Sequence, residues 1–261
     1  MAAHELEAMP ASPLVEFRDV SKRFGDGPVI LDRLSLAFNA GDFVSFIGPS
    51  GCGKSTILRL IAGLTPLSDG KLTIDQRPPE DSVADLAFVF QEPTLLPWLT
   101  AADNVELPQK LRHVAVAERT ATRHRVLDLV GLGEKAAAYP RQLSGGQKMR
   151  VSIARALSLS PKLLLLDEPF GALDEMTRER LNEELLAIHA QQAWTAFFVT
   201  HSVAEAVFLS NRIVVLSSRP GRVQAEIPVP LSYPRTKDTR LSAEYHACVA
   251  DVSRVLRSVE A

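Results

Sequence analysis

Cysteine is nearly absent: Cys52 and Cys248 are the only two in 261 residues. That is too few for a disulfide framework, so a reducing cytosolic compartment is the expectation. Neither sign of charge is in excess. Lys and Arg total 29 against 31 Asp and Glu, a net charge of -2, whereas a nucleic-acid binder is expected to carry a clear positive surplus. No uninterrupted apolar run approaches the ~18 residues that cross a bilayer. Residues 1–13 contain Glu5 and Glu7 and no apolar core, so they are read as a loose leader and not as a secretory signal. Internal repeats and low-complexity tracts are missing as well. What remains is an ordinary globular composition, 46% hydrophobic and 23% charged, long enough for one large domain with a lobe.

From Leu14 onward the pattern turns to short strands. Residues 15–20 alternate, and 30–38 set Ile30, Leu34, Leu36 and Phe38 among polar neighbours. Residues 43–47 are a continuous apolar strand ending at Gly48, followed by a glycine-rich turn and a helix over 55–62 closed by Gly63. Further strands are expected at 71–75 and 86–90. Between 92 and 159 the texture becomes helical, with one face carrying Thr122, Val126, Leu129 and Val130. This reads as a helical lobe inserted into an α/β core. Strand signals return at 163–166, 195–200 and 212–216, with helices at 175–191 and 202–209. Fully apolar strands alternating with helices indicate a mostly parallel sheet covered on both faces. A last helix is expected to dock through Leu241, Tyr245, Cys248 (or Val249), Val252, Val255 and Val259.

The strongest local signal is Gly48-Pro49-Ser50-Gly51-Cys52-Gly53-Lys54-Ser55, which fits G-x-x-x-x-G-K-[ST] between a strand and a helix. Its glycines let successive backbone N–H groups curl around phosphate oxygens, and the helix N-terminus adds its positive end. Lys54 would reach the β- and γ-phosphates, and Ser55 would offer its hydroxyl oxygen to Mg²⁺. Cys52 reads as a tolerated small residue. The chemistry also needs a carboxylate at the end of another buried strand. Leu163-Leu164-Leu165-Leu166-Asp167-Glu168 supplies Asp167 for the metal's shell and Glu168 as a general base for an attacking water.

A second phosphate grip, Leu143-Ser144-Gly145-Gly146-Gln147, precedes a helix within the lobe. Two grips with one phosphate loop suggest that the second serves a neighbouring chain's nucleotide. Gln91 follows the strand at 86–90, and His201 follows the strand at 195–200.

With Ala172-Leu173-Asp174 standing between Glu168 and His201, the sequence resembles the ATP-binding subunits of ABC transporters over about residues 14–227, all these pieces lying in that family's order. The resemblance implies a P-loop NTPase core, mostly parallel sheet with an antiparallel β lobe, plus an inserted helical subdomain at about 92–159. It places the ATPase domain at 14–230 and a C-terminal helical tail at 231–261, too short for an added regulatory domain. Phe24 then matches the aromatic that stacks on adenine. Gly48, Pro49, Ser50, Gly51, Cys52, Gly53, Lys54, Ser55 and Thr56 match the phosphate binders. Gln91 matches a residue that coordinates Mg²⁺ or its water and relays to a membrane partner. Ser144, Gly145, Gly146 and Gln147 would contact the γ-phosphate held by the opposite protomer, and Asp174 matches a dimer-contact loop. Asp167 matches the metal-shell carboxylate, Glu168 the catalytic base and His201 the switch histidine. Ser202 departs from the acidic residue that many relatives carry there.

The implied ligands are ATP and Mg²⁺. The implied partners are transmembrane permease subunits, a second ATPase chain, like this one, and indirectly an extracytoplasmic solute-binding protein, with no nucleic acid. The expected place is the cytoplasmic face of the inner membrane, held peripherally. Gln91-Glu92-Pro93-Thr94-Leu95-Leu96-Pro97-Trp98 matches the permease grip. Together with Phe170-Gly171-Ala172-Leu173-Asp174, Ala206-Val207-Phe208-Leu209-Ser210 and Arg219-Pro220-Gly221-Arg222, it is similar to the nitrate/sulfonate/taurine importer branch. A soluble ATPase of the same family acting on nucleic acid or ribosomes would share the ATP chemistry. A single ATPase unit, a modest helical lobe and the lack of basic excess stand against it.

Overall fold

The computed structural model describes residues 12–192 and 194–260; the expected leader lies mostly outside them. Strands β1 (Val15–Arg23) and β2 (Val29–Phe38) pair antiparallel, and β3 (Phe43–Ile47) runs into helix α1 (Lys54–Ile61). Strand β4 (Asp69–Ile74) returns to β1 and completes a three-stranded antiparallel sheet in the order β2-β1-β4. After β5 (Leu86–Val89) the chain leaves the core for α2 (Ala101–Leu111), α3 (Val116–Leu129) and α4 (Gly145–Leu157). It re-enters through β6 (Leu163–Asp167), α5 (Glu175–Gln192), β7 (Thr195–Val199), α6 (Val203–Leu209) and β8 (Arg212–Leu216). Strand β9 (Val223–Pro228), α7 (Lys237–Arg240) and α8 (Ala243–Glu260) follow.

The large sheet has the order β5-β6-β7-β3-β8-β9, parallel except for β9. Its central strands are almost wholly buried because both faces are covered, and the one polar side chain in the middle of β3, Ser45, is paired with Ser210. Leu163 and Leu165 join the core against the small sheet and α1, whereas Leu164 and Leu166 join the core on the helical side. Parallel pairing has a functional consequence. The carboxyl ends of β3, β5, β6 and β7 lie along one edge, so residues following four separate strands become neighbours.

The expected strands and helices occur with small shifts of boundary, and β9 is an addition to them. Its Val223, Ala225 and Ile227 are half-buried while Gln224, Glu226 and Pro228 are exposed, the alternation of an edge strand. Two of the predicted faces are corrected. On α3, Val126 and Val130 are buried as expected, but Leu127 is buried too, while Leu129 and Thr122 are only half-buried. Leu241 is 79% exposed because the final helix begins two residues later. Tyr245, Cys248, Val249, Val252, Val255 and Val259 of α8 do pack on the core, and the Tyr245 hydroxyl donates to the Ala204 carbonyl at 3.0 Å. The tail therefore braces α6.

Candidate nucleotide site

The turn from β3 to α1 closes around Lys54. Gly53 caps α1 with φ of +102°, and a Cβ there would lie 2.4 Å from Leu31 Cδ2, so glycine is required on two counts. The buried Lys54 ammonium donates to the carbonyls of Gly48 (2.9 Å) and Pro49 (3.1 Å). It takes part in none of the ion pairs among the described residues. A buried cation with no carboxylate partner, at a helix N-terminus, is a site suited to an anion. Cys52 is fully buried beneath the loop, and burial raises its thiol pKa, which fits an inert packing role.

Beside the loop, the Ser55 hydroxyl donates to Asp167 Oδ1 at 2.7 Å. Burial raises the Asp167 carboxyl pKa, and the Ser55 hydrogen bond opposes that shift. Glu168 turns the chain out of β6 with φ of +47°, a conformation uncommon for a non-glycine residue. Its amide still donates to the Val199 carbonyl at 3.0 Å, so the sheet holds the backbone while the side chain turns toward β7. There Oε1 of Glu168 lies 2.8 Å from His201 Nε2.

A cavity of about 350 Å³ is lined by Phe24, Ser50, Gly51, Gly53, Lys54, Ser55, Thr56, Glu168 and His201. Phe24 is half exposed, with the Lys22 ammonium 4.6 Å from its ring centre. An adjoining cavity of about 270 Å³ shares Glu168 and His201 and adds Gln91, Arg178, Thr200 and Glu205. Gln91 is thereby brought to the Glu168–His201 pair from the end of β5.

Ser144, Gly145, Gly146 and Gln147 open elsewhere, into a cavity of about 420 Å³ that also holds Ala172, Leu173 and Asp174. Ser144 caps α4 by accepting the Gln147 amide at 3.3 Å, while Gln147 Oε1 accepts the Ser144 amide at 3.0 Å. The Ser144 hydroxyl proton is left free to donate outward, beside the unpaired amides of the first helical turn. Asp174 accepts the Thr177 amide at 3.0 Å, which holds its carboxyl pKa below the ordinary value. No residue lines both this cavity and the phosphate-loop cavity, so one chain places its two grips apart. A larger apolar cavity of about 660 Å³, at His189 and Tyr233, shares nothing with either.

Sequence reasoning took the Arg219–Arg222 segment only as a mark of lineage, yet this turn between β8 and β9 is built against the phosphate loop. Gly221 exchanges backbone hydrogen bonds with Ile30 and Asp32 (2.8 and 3.0 Å). A Cβ on Gly221 would fall 2.0 Å from the Cys52 carbonyl oxygen. Arg219 Nε donates to the Gly51 carbonyl at 3.3 Å. Arg178, Thr200 and Glu205 were missed altogether, since single residues in helices and strand ends carry no pattern.

The family described as ABC transporter matches residues 31–171 of this chain. The taurine import ATP-binding protein of Rhizobium johnstonii is 45% identical, covering 91% of this chain and 93% of the relative. The nitrate import ATP-binding protein of Synechocystis is 43% identical, covering 89% and 90%. The aliphatic sulfonates import ATP-binding protein of Bacillus cereus is 44% identical, covering 86% and 90%. Among solved structures, a dimeric post-hydrolysis ATP-binding cassette bound to ADP and Pi superposes with a TM-score of 0.73. Its identity is 33%, and the match covers 84% of this chain and all of that one.

Proposed function

This chain belongs to the ABC transporter family, and on that premise we propose that it is the ATP-hydrolysing subunit of an import complex for a small solute of the nitrate, sulfonate or taurine type. The observation that carries the proposal is the placement of two grips. Lys54, Ser55, Glu168, His201 and Gln91 line two adjoining cavities at one sheet edge, with Asp167 bonded to Ser55, whereas Ser144 to Gln147 face a different cavity. A nucleotide gripped from both sides needs two chains, head to tail. ATP then joins the halves, and loss of the γ-phosphate releases them.

Within each site, Phe24 stacks on the adenine, and Gly48 to Thr56 surround the phosphates with Lys54 neutralising their charge. The Ser55 hydroxyl and the Asp167 carboxylate present oxygen donors 2.7 Å apart, a donor set that suits Mg²⁺. Among the described residues no cluster of three or more His, Cys, Asp or Glu side chains that could hold an ion occurs. Ser55, Asp167 and Gln91 would hold Mg²⁺, which supplies neutralisation of the phosphate oxygens. Glu168 accepts the proton of the attacking water, whose oxygen bonds to the γ-phosphorus as the bond to ADP breaks. His201, whose Nε2 lies 2.8 Å from Oε1 of Glu168, holds that carboxylate in place beside the phosphate-loop cavity.

The half-exposed run around Leu95 and the exposed Pro97 and Trp98 form the docking surface for a transmembrane permease. The buried Asn104 side chain holds this run by bonds to Leu96, Leu99 and Thr100. No helix among the described residues is long and apolar enough to cross a membrane. In this reading the permease holds the chain at the cytoplasmic face, and an extracytoplasmic binding protein acts only indirectly. Reconstitution with the permease and binding protein in lipid vesicles tests this. ATP hydrolysis that rises several-fold with liganded binding protein is expected. Hydrolysis indifferent to the membrane components but stimulated by nucleic acid or ribosomes would overturn it.

A further inference from the structure

Arg178, at the start of α5, touches two elements that the nucleotide site needs. Its Nη2 donates to the Leu173 carbonyl at 2.9 Å, in the 171–174 loop that shares a cavity with Ser144 to Gln147. Its Nε is buried without a hydrogen-bond partner and lies 4.0 Å from Oε1 of Glu205, an oxygen that is equally unpartnered. Glu205 is only 5% exposed, a burial that a carboxylate tolerates only beside cations or donors. Its other oxygen accepts the Thr200 hydroxyl at 2.5 Å, and Thr200 Oγ1 in turn accepts the Ser202 amide at 3.0 Å. Ser202 Oγ accepts the Glu205 amide at 3.3 Å. Both neighbours of His201 are thus fastened to Glu205. Burial raises the pKa of this carboxyl group, and the Thr200 hydroxyl and the Arg178 charge oppose that shift.

We propose that Arg178 and Glu205 are positioning residues that tie the orientation of His201 to the position of the 171–174 loop. The inference rests on the ATPase reading above. A second chain seated against Ala172 to Asp174 displaces the Leu173 carbonyl, Arg178 follows it, and the ion pair with Glu205 carries the shift to the peptide that bears His201. Hydrolysis is then permitted only when the loop is engaged, while nucleotide binding, which uses the phosphate-loop cavity that neither Arg178 nor Glu205 lines, is untouched.

The test is a double-mutant cycle in the full-length chain with Arg178→Ala, Arg178→Lys and Glu205→Gln, reading kcat, KM for ATP and nucleotide affinity by fluorescence titration. Each of Arg178→Ala and Glu205→Gln is expected to lower kcat by roughly tenfold with KM within about twofold. The double variant is expected to be no worse than either single one, because residues acting as a unit are non-additive. Arg178→Lys is expected to recover part of kcat. Multiplicative losses, or equal losses of kcat and nucleotide affinity, would overturn the relay. If Arg178→Ala does not fold, the Lys and Gln variants decide the matter by the same KM-against-kcat split. Wild-type chain that fails to hydrolyse ATP would instead defeat the ATPase reading, and full activity in every variant defeats the relay alone.

Discussion

Nε2 of His201 lies 2.8 Å from Oε1 of Glu168, joining the carboxyl ends of the neighbouring strands β6 and β7. The contact depends on a positive φ at Glu168 and on the Glu205-anchored turn around His201. It makes the carboxylate the acceptor and the imidazole the donor.

Replacing Glu168 by Gln keeps the size and the contact but removes the base. Hydrolysis is expected to fall by roughly 100-fold or more, with ATP affinity retained and the dimer held by unhydrolysed ATP. Sedimentation in the presence of ATP checks this, and wild-type turnover would remove Glu168 from its role.

Ser144→Arg should separate the two grips. The monomer is expected to bind ATP as well as wild type, since Ser144 is absent from the phosphate-loop cavity. ATP-dependent dimerisation and hydrolysis should both be lost, at least tenfold in rate. Weakened nucleotide binding by the monomer would contradict the head-to-tail arrangement.

Ser55→Ala removes both a hydroxyl oxygen and the hydrogen bond that opposes the raised pKa of Asp167. The Mg²⁺ concentration for half-maximal activity should rise by roughly tenfold or more. In the metal-free protein, acidification should protonate Asp167 from a pH above the ordinary carboxylate value, and in the variant from a higher pH still, as read by carbonyl infrared titration. Coincident pH profiles would refute the link.

Gly221→Ala places a methyl group 2.0 Å from the Cys52 carbonyl oxygen. The cost of such overpacking is about 1–3 kcal/mol, and relief by displacement of the phosphate loop should also weaken ATP binding. Thermal melting and nucleotide titration read the two effects together. Unchanged values in both would mean that the turn does not support the loop.

His189 packs edge-on to Trp194 and Phe43 with Nε2 buried and unpartnered, and burial lowers its pKa. The folded chain therefore binds this proton less readily than the unfolded chain. Stability from His189 is full above its unfolded value of about 6.5 and lost as pH falls through the lower folded value. His189→Phe should make the decline of the melting temperature between pH 7 and 5 shallower, by on the order of 2 °C. An identical slope in both proteins would exclude His189 as the source.

The sequence by itself determined the phosphate loop, the acidic end of the leucine strand and the helical lobe, because each is a local pattern. A glycine spacing sets a turn, an apolar run sets a two-sided strand, and a three-to-four-residue period sets a helix. Leu163 to Leu166 alternate between two cores, as a strand buried on both faces must. Tertiary structure alone decided which distant residues meet. Parallel pairing brings Gln91, Glu168 and His201 to one edge although the chain separates them, and the capped helix α4 holds Ser144 away from it. It also decided that β9 extends the sheet at its β8 edge, that Leu241 stays exposed, and that Gly221, Arg178 and Glu205 support the site. These three act through contacts with residues far along the chain, and a contact of that kind leaves no period, spacing or composition to be read.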